Sequence, residues 1–240
     1  MGDSFFPCQI LSSFRLPPVS KRVLVVAPHP DDETIGAGGL IAKYAHNQNE
    51  VTILTVAGHR PPVYSEAVYA QTLKEAKEAH CILGVAKSVF FDFPATTLGQ
   101  VAAHELNERI YSVFEEVEPQ IVLCPYPDRH VDHRIIFEST MVAARPVKAG
   151  AAVELLAAYE TLSETHWNAP HIEPTFTPNW VVNITDFVEK KFKALACYES
   201  QIPPFPGPRS LEAAKALAMF RGTQAGFPYG EGFHVIRMVT

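Results

Sequence analysis

The segment Arg22–Ala27, with the sequence RVLVVA, decides the fold class of this chain. After its first residue it is an unbroken apolar run rich in valine, which is typical of a strand that is buried on both faces. Pro28 and Pro30 follow at once and end the strand. Strands of this kind belong mainly to parallel sheets, and such sheets require a crossover, usually a helix, between successive strands.

Outward from this segment, strand and helix patterns alternate along the chain. Apolar runs at residues 51–56, 88–93 and 120–124 predict three more strands. Residues 65–83 and 99–117 carry apolar side chains three and four positions apart, which predicts amphipathic helices between those strands. The other predicted elements are helices at 35–45, 133–145 and 209–221, a helix that follows residue 186 and ends near residue 200, and strands at 153–159, 180–184 and 233–239.

This alternation predicts an α/β fold with a mostly parallel sheet and helices on both of its faces. We expect one domain over residues 1–240. Residues 1–20 are expected to form an irregular N-terminal arm, because they contain prolines and little periodicity. In sheets of this kind, ligands bind beyond the carboxyl ends of the strands, so the active site is expected in the loops that follow them.

Composition and charge exclude several classes of protein. The 240 residues are 47% hydrophobic and 19% charged, a balance typical of a globular protein. The formal net charge of −6 argues against a protein that binds the phosphate backbone of nucleic acids. The sequence has no apolar run long enough for a membrane span and no signal peptide pattern. Cys8, Cys81, Cys124 and Cys197 lie far apart, which is typical of reduced thiols in a cytoplasmic protein.

Two polar clusters follow predicted strands and differ from ordinary turns. Residues 28–33 read PHPDDE directly after the first strand, and residues 128–133 read DRHVDH shortly after the fourth. Proline and aspartate are common in turns and helix caps, which would explain either cluster alone. A turn does not require a histidine beside two aspartates. Because both clusters lie at carboxyl ends of a predicted parallel sheet, we favour one shared functional site.

The residue types in these clusters favour a divalent metal ion. Catalytic zinc takes three protein ligands from histidine, aspartate or glutamate and leaves one position for water. His29 and Asp32 lie close together on a proline-stiffened loop, and His133 from the second cluster would complete the set. Bound zinc lowers the pKa of water to about 7 and polarises a carbonyl, which suits amide hydrolysis. Two histidines and one carboxylate also suit Fe²⁺, and the sequence does not separate the two metals.

The other side chains of the clusters match the further needs of a hydrolase. Asp31 is a candidate general base for the attacking water, and a helix N-cap is its alternative role. His130 can stabilise the oxyanion or protonate the departing amine. Asp132 is expected to orient His130, to cap a helix, or to do both. Glu33 is interpreted as a first-turn glutamate that interacts with the helix dipole, and it is left out of the site.

The same residues resemble a known family. Residues 27–33 read APHPDDE and are followed by Gly38 and Gly39, which is similar to the HPDDE signature of the LmbE/PIG-L family of metal-dependent deacetylases. His130-Val131-Asp132-His133 is similar to the second signature of that family, His-x-Asp-His. Weaker similarities extend the match over about residues 22–240.

This resemblance implies a Rossmann-like α/β fold, bound zinc and hydrolysis of an N-acetyl group. The substrate it implies is a small-molecule N-acetylated amino sugar conjugate, typically one that bears glucosamine. Carried onto this chain, the resemblance implies the roles already inferred from residue types: zinc ligands at His29, Asp32 and His133, a general base at Asp31, and assistance to the oxyanion and leaving group from His130 with Asp132 beside it.

Two departures from the family pattern concern the side that would bind the sugar. Thr72 stands where many members have an arginine that holds the substrate, and Ala95 follows Pro94 where many have an aspartate. Arg60, in the loop after the second strand, is a candidate replacement for that arginine, or else a solvated loop charge. His59 in the same loop is a further candidate for substrate contact. These departures leave the expected chemistry unchanged and bear on the identity of the substrate.

The sequence therefore predicts a metal-dependent hydrolase that removes an N-acetyl or short N-acyl group from an amino sugar conjugate. A deacylase of a non-sugar N-acyl compound and a non-enzymatic binding protein on the same fold are the alternatives. Residues 159–207 are rich in aromatic residues and proline. They suit either a lid over the site or a contact between the subunits of a homo-oligomer, and the sequence does not choose between the two.

Overall fold

The computed structural model describes residues 20–240, so the arm expected at residues 1–20 lies outside the described residues except for Ser20. Within the described residues, seven strands form one sheet. In chain order the strands are β1 (Arg22–Ala27), β2 (Glu50–Gly58), β3 (Lys87–Pro94), β4 (Ile121–Pro125), β5 (Leu155–Tyr159), β6 (Trp180–Asn183) and β7 (Gly230–Met238). The α-helices are α1 (Asp32–His46), α2 (Glu66–Leu83), α3 (Ala103–Val117), α4 (Val131–Ala143), α5 (Val188–Leu195) and α6 (Leu211–Thr223).

The order of the strands across the sheet is β3-β2-β1-β4-β5-β7-β6. β1 pairs in parallel with β2 and β4, and parallel pairing continues from β2 to β3 and from β4 to β5. β7 runs antiparallel to both β5 and β6. The prediction of a mostly parallel α/β sheet is therefore confirmed. The expectation of one domain over residues 1–240 stays a prediction.

Helices cover both faces of the sheet and enclose two hydrophobic cores. In β1, Val23 and Val25 pack into one core and Leu24 and Val26 into the other, because successive side chains of a strand point to opposite faces. Helices α1, α2, α5 and α6 contribute to the first core, and α3 and α4 to the second. The four side chains of β1 are fully buried, and burying each contributes about 1.5–3 kcal/mol.

Some helix boundaries differ from the prediction. The helix α4 begins at Val131, earlier than expected, because Nδ1 of His130 accepts a hydrogen bond from the backbone N–H of Asp132 (3.1 Å) and caps the helix. The helix α5 ends at Leu195, short of residue 200, and turns follow it. The earlier start of α4 places Asp132 and His133 in its first turn.

The adjacency of β1 and β4 brings the two polar clusters together. These strands pair in parallel, with Val25 opposite Leu123, so their carboxyl ends lie at the same edge of the sheet. The helix α1 begins at Asp32, shortly after β1, and α4 begins at Val131, after the second cluster has started. The N-termini of both helices therefore lie beside the residues predicted to form the site.

Two further predictions, on membrane spans and on cysteines, can be compared with the described residues. None of their helices combines the length and the apolar character needed to cross a membrane. Cys81, Cys124 and Cys197 are free thiols. Cys8 lies outside the described residues.

Candidate active site

The loop after β1 holds Asp31 in an uncommon backbone conformation. Its φ is 110°, which residues other than glycine rarely adopt and which costs on the order of 1–3 kcal/mol. The backbone N–H of Asp31 donates to Oε2 of Glu33 (3.3 Å), and its carbonyl accepts from the N–H groups of Thr34 and Ile35. Asp31 occupies the N-cap position of α1, as its alternative role expected, but its side chain makes no cap hydrogen bond. The residue borders a cavity instead.

The three predicted metal ligands converge in the structure. Oδ2 of Asp32 lies 3.2 Å from Nδ1 of His29 and 3.4 Å from Nε2 of His133. The exposed fractions of His29, Asp32 and His133 are only 8%, 2% and 1%. Nε2 of His133 has no hydrogen-bond partner among the described residues, which calls for an explanation in a buried polar atom. Two imidazole nitrogens and a carboxylate oxygen at this spacing fit a divalent cation.

Two further carboxylates hold the imidazole rings of these ligands. Oδ2 of Asp132 lies 2.9 Å from Nε2 of His29, and Oδ2 of Asp128 lies 3.1 Å from Nδ1 of His133. Because an ionised carboxylate only accepts hydrogen bonds, each contacted nitrogen carries the proton. With a cation bound, the other nitrogen of each ring would present its lone pair to that cation. Histidines that bind metals are commonly oriented by carboxylates in this way.

The contacts of Asp132 correct one expectation. The prediction that its carboxylate orients His130 is wrong, because Oδ2 contacts His29 and also accepts from the backbone N–H of Thr96 (2.6 Å). Only the backbone N–H of Asp132 reaches His130. The physical reason is the early start of α4, which makes His130 the cap and turns the side chain of Asp132 toward the loop after β1.

Asp128 is a site residue that sequence reasoning missed. It lies in the second cluster, five positions before His133, and this nearness was the available signal. It is fully buried. Its Oδ2 also accepts from Oγ1 of Thr165 (2.9 Å), which belongs to a segment far along the chain that no local pattern connects to the cluster.

His130 lies beside the candidate metal ligands. Its ring centroid is 4.7 Å from that of His29 and 4.9 Å from that of His133, and by distance alone these three histidines also form a candidate ligand set. Nδ1 of His130 accepts from the backbone of Asp132, so the neutral ring carries its proton on Nε2. Burial and the charges of His29 and His133 lower the pKa of His130, which favours this neutral form. We therefore favour Asp32 as the third ligand and Nε2–H of His130 as a donor to the cavity.

The carboxylates of the site attract positive charge. Burial lowers the pKa of His29, but hydrogen bonds with Asp132 and Asp32 outweigh it and raise the pKa to about 9. Burial also lowers the pKa of His133, but the charge of Asp32 and the contact with Asp128 raise it to about 10. Burial raises the pKa of Asp32, but His133 and His29 hold it well below its usual range. A divalent cation would take the place of the ring protons.

The pKa of Asp31 is shifted in the opposite direction from that of Asp32. Burial and the charges of Asp32 and Glu33 raise the pKa of Asp31 well above its usual range. Arg209, whose Nη1 lies 3.4 Å from Oδ2 of Asp31, lowers the pKa in part. A carboxylate with a raised pKa accepts a proton more readily near neutral pH, as a general base must. Two neighbouring aspartates are thus set for different roles by their surroundings.

A cavity of about 140 Å³ lies against the ligands, and the two residues predicted to bind substrate differ in their relation to it. His59 borders the cavity, and burial with the charge of His29 lowers the pKa of His59 to about 4. Arg60 is not among the described residues that border the cavity, and its guanidinium lies 5.1 Å from the ring centroid of Tyr69. Arg209, which sequence reasoning missed, does border it.

Glu33 is fully buried, so the helix-dipole interpretation is incomplete. Its Oε1 accepts hydrogen bonds from the hydroxyls of Tyr198 and Thr34 and lies 3.6 Å from Nε2 of His80. Its Oε2 accepts from the backbone N–H of Asp31. Glu33 therefore supports the uncommon backbone of the candidate base. No local pattern indicates this, because Tyr198 is 165 positions away in the sequence.

The aromatic- and proline-rich residues 159–207 contribute both to the site and to the surface. Glu164 borders the cavity and pairs with Arg129 at 3.1 Å. Tyr198 is buried against Glu33, as described above. Trp167 is 55% exposed, with the guanidinium of Arg129 5.7 Å from its ring centroid. Part of this segment is therefore a wall of the site.

The separation of roles between Asp31 and Asp32 defines the class of protein. Asp32 contacts both histidines and has a lowered pKa, whereas Asp31 has a raised pKa. A cation-binding carboxylate beside a proton-accepting one is what metal-dependent hydrolases require. Comparison with known proteins agrees with this class. The family model described as "PIG-L: GlcNAc-PI de-N-acetylase" matches residues 24–144, and this chain belongs to that family.

The relatives of the chain are deacetylases. Diacetylchitobiose deacetylase of Thermococcus kodakarensis is 30% identical over 229 residues, which cover 90% of this chain and 83% of the relative. A probable N-acetyl-alpha-D-glucosaminyl L-malate deacetylase 2 of Bacillus anthracis is 28% identical, over 75% of this chain and 81% of the relative. The solved structure of N,N'-diacetylchitobiose deacetylase from Pyrococcus horikoshii, complexed with its inhibitor MPG, matches with a TM-score of 0.73 and 26% identity, covering 91% of this chain and 84% of that chain.

Proposed function

We propose that this chain is a deacetylase that uses a divalent metal ion to hydrolyse the N-acetyl group of an amino sugar conjugate. The observation that carries the proposal is the convergence of His29, Asp32 and His133 beside Asp31 at the edge of a cavity. The relatives support the acetyl group and the amino sugar. We include in this proposal that residues 1–240 form one domain of this kind.

The metal would be held by Nδ1 of His29, Oδ2 of Asp32 and Nε2 of His133. We propose Zn²⁺, and Fe²⁺ is compatible with the same donor set. A bound divalent cation lowers the pKa of water and polarises a carbonyl oxygen. Asp132 and Asp128 support binding by keeping the protons on the far nitrogens of the two rings.

Asp31 is proposed as the general base. Its carboxylate borders the cavity, and its raised pKa suits removal of a proton from the attacking water near neutral pH. The same group can then deliver that proton to the departing nitrogen. The hydrogen bond from its backbone N–H to Glu33 holds the carboxylate in place before substrate arrives.

His130 is proposed to stabilise the negative charge that develops on the acyl oxygen. Its ring is neutral, with Nδ1 accepting from the backbone of Asp132, so Nε2–H is the group that faces the reaction. Of the two roles expected from the sequence, the oxyanion role suits a neutral ring, because proton donation by a neutral imidazole would leave an anion. Loss of one such donor costs about 10²–10³-fold in rate.

A second candidate function is deacylation of a non-sugar N-acyl amine. One observation favours it: Arg60, the sequence-based replacement for a substrate-holding arginine, does not border the cavity. Thr72, which stands at the position of that arginine, is itself buried. The two candidates share the metal, the base and the oxyanion donor, and differ only in what binds beyond the acyl group.

The test is acetate release by the full chain, purified without chelator and loaded with Zn²⁺ or Fe²⁺. The substrates are N-acetylglucosamine, N,N'-diacetylchitobiose and N-acetylated amines without a sugar ring. We expect release from at least one of the sugars, loss of activity on chelation and recovery on adding metal. Release only from the non-sugar amines would support the second candidate, and no release from any compound by metal-loaded protein would contradict both.

A further inference from the structure

We propose that Arg209 is a substrate-binding residue that donates hydrogen bonds to hydroxyl oxygens of the sugar that carries the acetamido group. The proposal rests on the proposed function and deepens it, because it names a contact beyond the reacting amide. Arg209 borders the same cavity as His29, Asp31 and Asp32, although it is 178 positions from Asp31 in the sequence.

The backbone that carries Arg209 is well held. It directly precedes Ser210, which is fully buried and caps α6 by accepting from the backbone N–H of Ala213 (3.2 Å). The backbone N–H of Ser210 bonds to the carbonyl of Gly207 (3.0 Å), and that of Gly207 bonds to the carbonyl of Pro204 (2.8 Å). Successive turns and prolines leave this segment few alternative conformations, so Arg209 is presented to the cavity at little entropic cost.

The guanidinium of Arg209 has unused hydrogen-bonding capacity. Its one hydrogen-bond partner among the described residues is Asp31, at 3.4 Å, which is long for a charged pair. A guanidinium has five N–H donors in a planar fork, and the side chain of Arg209 is 32% exposed. The remaining donors are therefore available to a molecule that enters the cavity.

The charge around Arg209 favours a neutral, hydroxyl-rich ligand over an anion. Asp31, Asp32 and Glu164 also border the cavity, and an anionic group would have to lie among these carboxylates. Carboxylates accept hydrogen bonds and a guanidinium donates them. A sugar hydroxyl does both, so neighbouring hydroxyls of one ring can use Arg209 and Glu164 together. Of the described residues that border the cavity, only Ala95 has an apolar side chain, which agrees with a polar ligand.

Arg60 provides the matched control. It carries the same charge, but its guanidinium lies over Tyr69 and it does not border the cavity. A loss caused only by the change in net charge would appear equally in Arg209→Gln and Arg60→Gln. A loss caused by a missing contact with substrate would appear only at Arg209.

The experiment measures steady-state acetate release by the metal-loaded wild type, Arg209→Gln, Arg209→Lys and Arg60→Gln, with an N-acetyl amino sugar that the wild type hydrolyses. Because hydrogen bonds to charged groups are worth about 1.5–3 kcal/mol, we expect the KM of Arg209→Gln to rise about tenfold or more. We expect a smaller rise in Arg209→Lys and no change in Arg60→Gln. Metal content and thermal unfolding should match the wild type in all three variants.

Deoxy analogues of the substrate, each lacking one hydroxyl, separate substrate contact from an effect through Asp31. If Arg209 binds a hydroxyl, one analogue should be a poorer substrate for the wild type but equal to the parent sugar for Arg209→Gln. Equal losses on the parent sugar and on every analogue would mean that Arg209 acts only through Asp31, and would overturn the proposal.

Failure of the proposed function is distinguishable from failure of this proposal. If the wild type releases no acetate from any amino sugar, calorimetric titration with N-acetylglucosamine replaces kinetics. Weaker binding to Arg209→Gln than to Arg60→Gln would then still support the contact. Equal affinity in the two variants, or no binding to the wild type, would overturn it.

Discussion

Two buried charged regions of this molecule differ in how completely their charges are paired. The ion-pair cluster consists of Lys191, Glu231, Arg221 and Glu160. Nζ of Lys191 donates to Glu231 (2.6 Å), which also accepts from two backbone N–H groups of α1. Arg221 donates to both oxygens of Glu160, at 2.7 and 2.6 Å. Each charged group of this cluster is satisfied by the protein itself.

The metal-ligand region is incomplete by comparison. Nε2 of His133 and Oδ1 of Asp132 are buried without hydrogen-bond partners among the described residues. Asp31 is buried as well, and within residues 20–240 its carboxylate has only the long contact with Arg209. Unsatisfied buried groups cost several kcal/mol, so a fold retains them where something else completes them. The comparison teaches that the ion-pair cluster is complete within the protein, whereas the region of His133 and Asp132 has buried polar atoms left for a bound group, as the proposed metal site requires.

The largest expected effect is on activity, from Asp31→Asn. Removing the general base should lower kcat by about 10²–10⁴-fold. Stability should be unchanged or slightly higher, because the raised pKa of Asp31 shows that the fold disfavours its charge. Acetate release and thermal unfolding measure these two properties, and metal content should match that of the wild type. Asp186→Asn, at an exposed position, is the control. Normal turnover in Asp31→Asn would remove this residue from the role of base.

The next largest effect is expected in the ion-pair cluster, where a substitution should lower stability and leave kcat unchanged. Arg221→Met leaves Glu160 buried without its main partner, which should cost about 3–5 kcal/mol of unfolding free energy. Urea unfolding measures this cost. The folded fraction should keep the wild-type kcat. A fall in kcat at full folding would mean that the ion-pair cluster is not purely structural.

A smaller effect is expected from Asp132→Ala, which tests whether Asp132 contributes to metal binding. Because the carboxylate of Asp132 orients His29, its removal should weaken metal binding by about 10–100-fold. Competition with a chelator of known affinity measures the change. Metal affinity unchanged from the wild type would contradict the role of Asp132 in orienting His29 for metal binding.

The smallest expected effect is the loss of stability of the ion-pair cluster at acid pH. Burial raises the pKa of Glu160, but the hydrogen bonds from Arg221 and His166 outweigh it and lower the pKa below its usual value. A group with a depressed folded-state pKa stabilises the fold above its unfolded pKa of about 4.3, and this contribution is lost as pH falls through the folded value. Glu160→Gln should therefore be less stable than the wild type at pH 7, and the difference should shrink as the pH is lowered. Urea midpoints between pH 7 and pH 3 provide the measurement, and a constant difference would contradict the assignment.

Much of the fold and the centre of the site could be predicted from the sequence. The apolar run of β1 reports burial on both faces, which the alternation of Val23 and Leu24 between two cores explains. Ligands bind at the carboxyl ends of parallel strands, so residues 28–33 and residues 128–133 could be predicted to form one site. Metal ligands require particular atoms at short spacing, so His29 and Asp32 could be selected as candidate ligands from residue types alone.

Other parts of the site could not be predicted, because they depend on contacts between distant segments. Asp132 was assigned to the wrong histidine because the start of α4, set by the cap of His130, decides where its side chain points. The support of Asp31 through Glu33 requires Tyr198, and Arg209 reaches the cavity from the segment before α6. Neither residue has a neighbour in sequence that signals its role.

By itself, the sequence determined the alternation of strands and helices, the edge of the sheet that carries the chemistry, and the residue types that can bind a cation. These are local properties, since periodicity reports burial and ligand identity resides in a few adjacent side chains. Only the tertiary structure decided which nitrogen of each histidine is held by a carboxylate, which aspartate has a raised pKa, and which arginine borders the cavity. Those outcomes depend on how segments far apart in the chain pack against one another, and packing sets the burial and the nearest charges of each group.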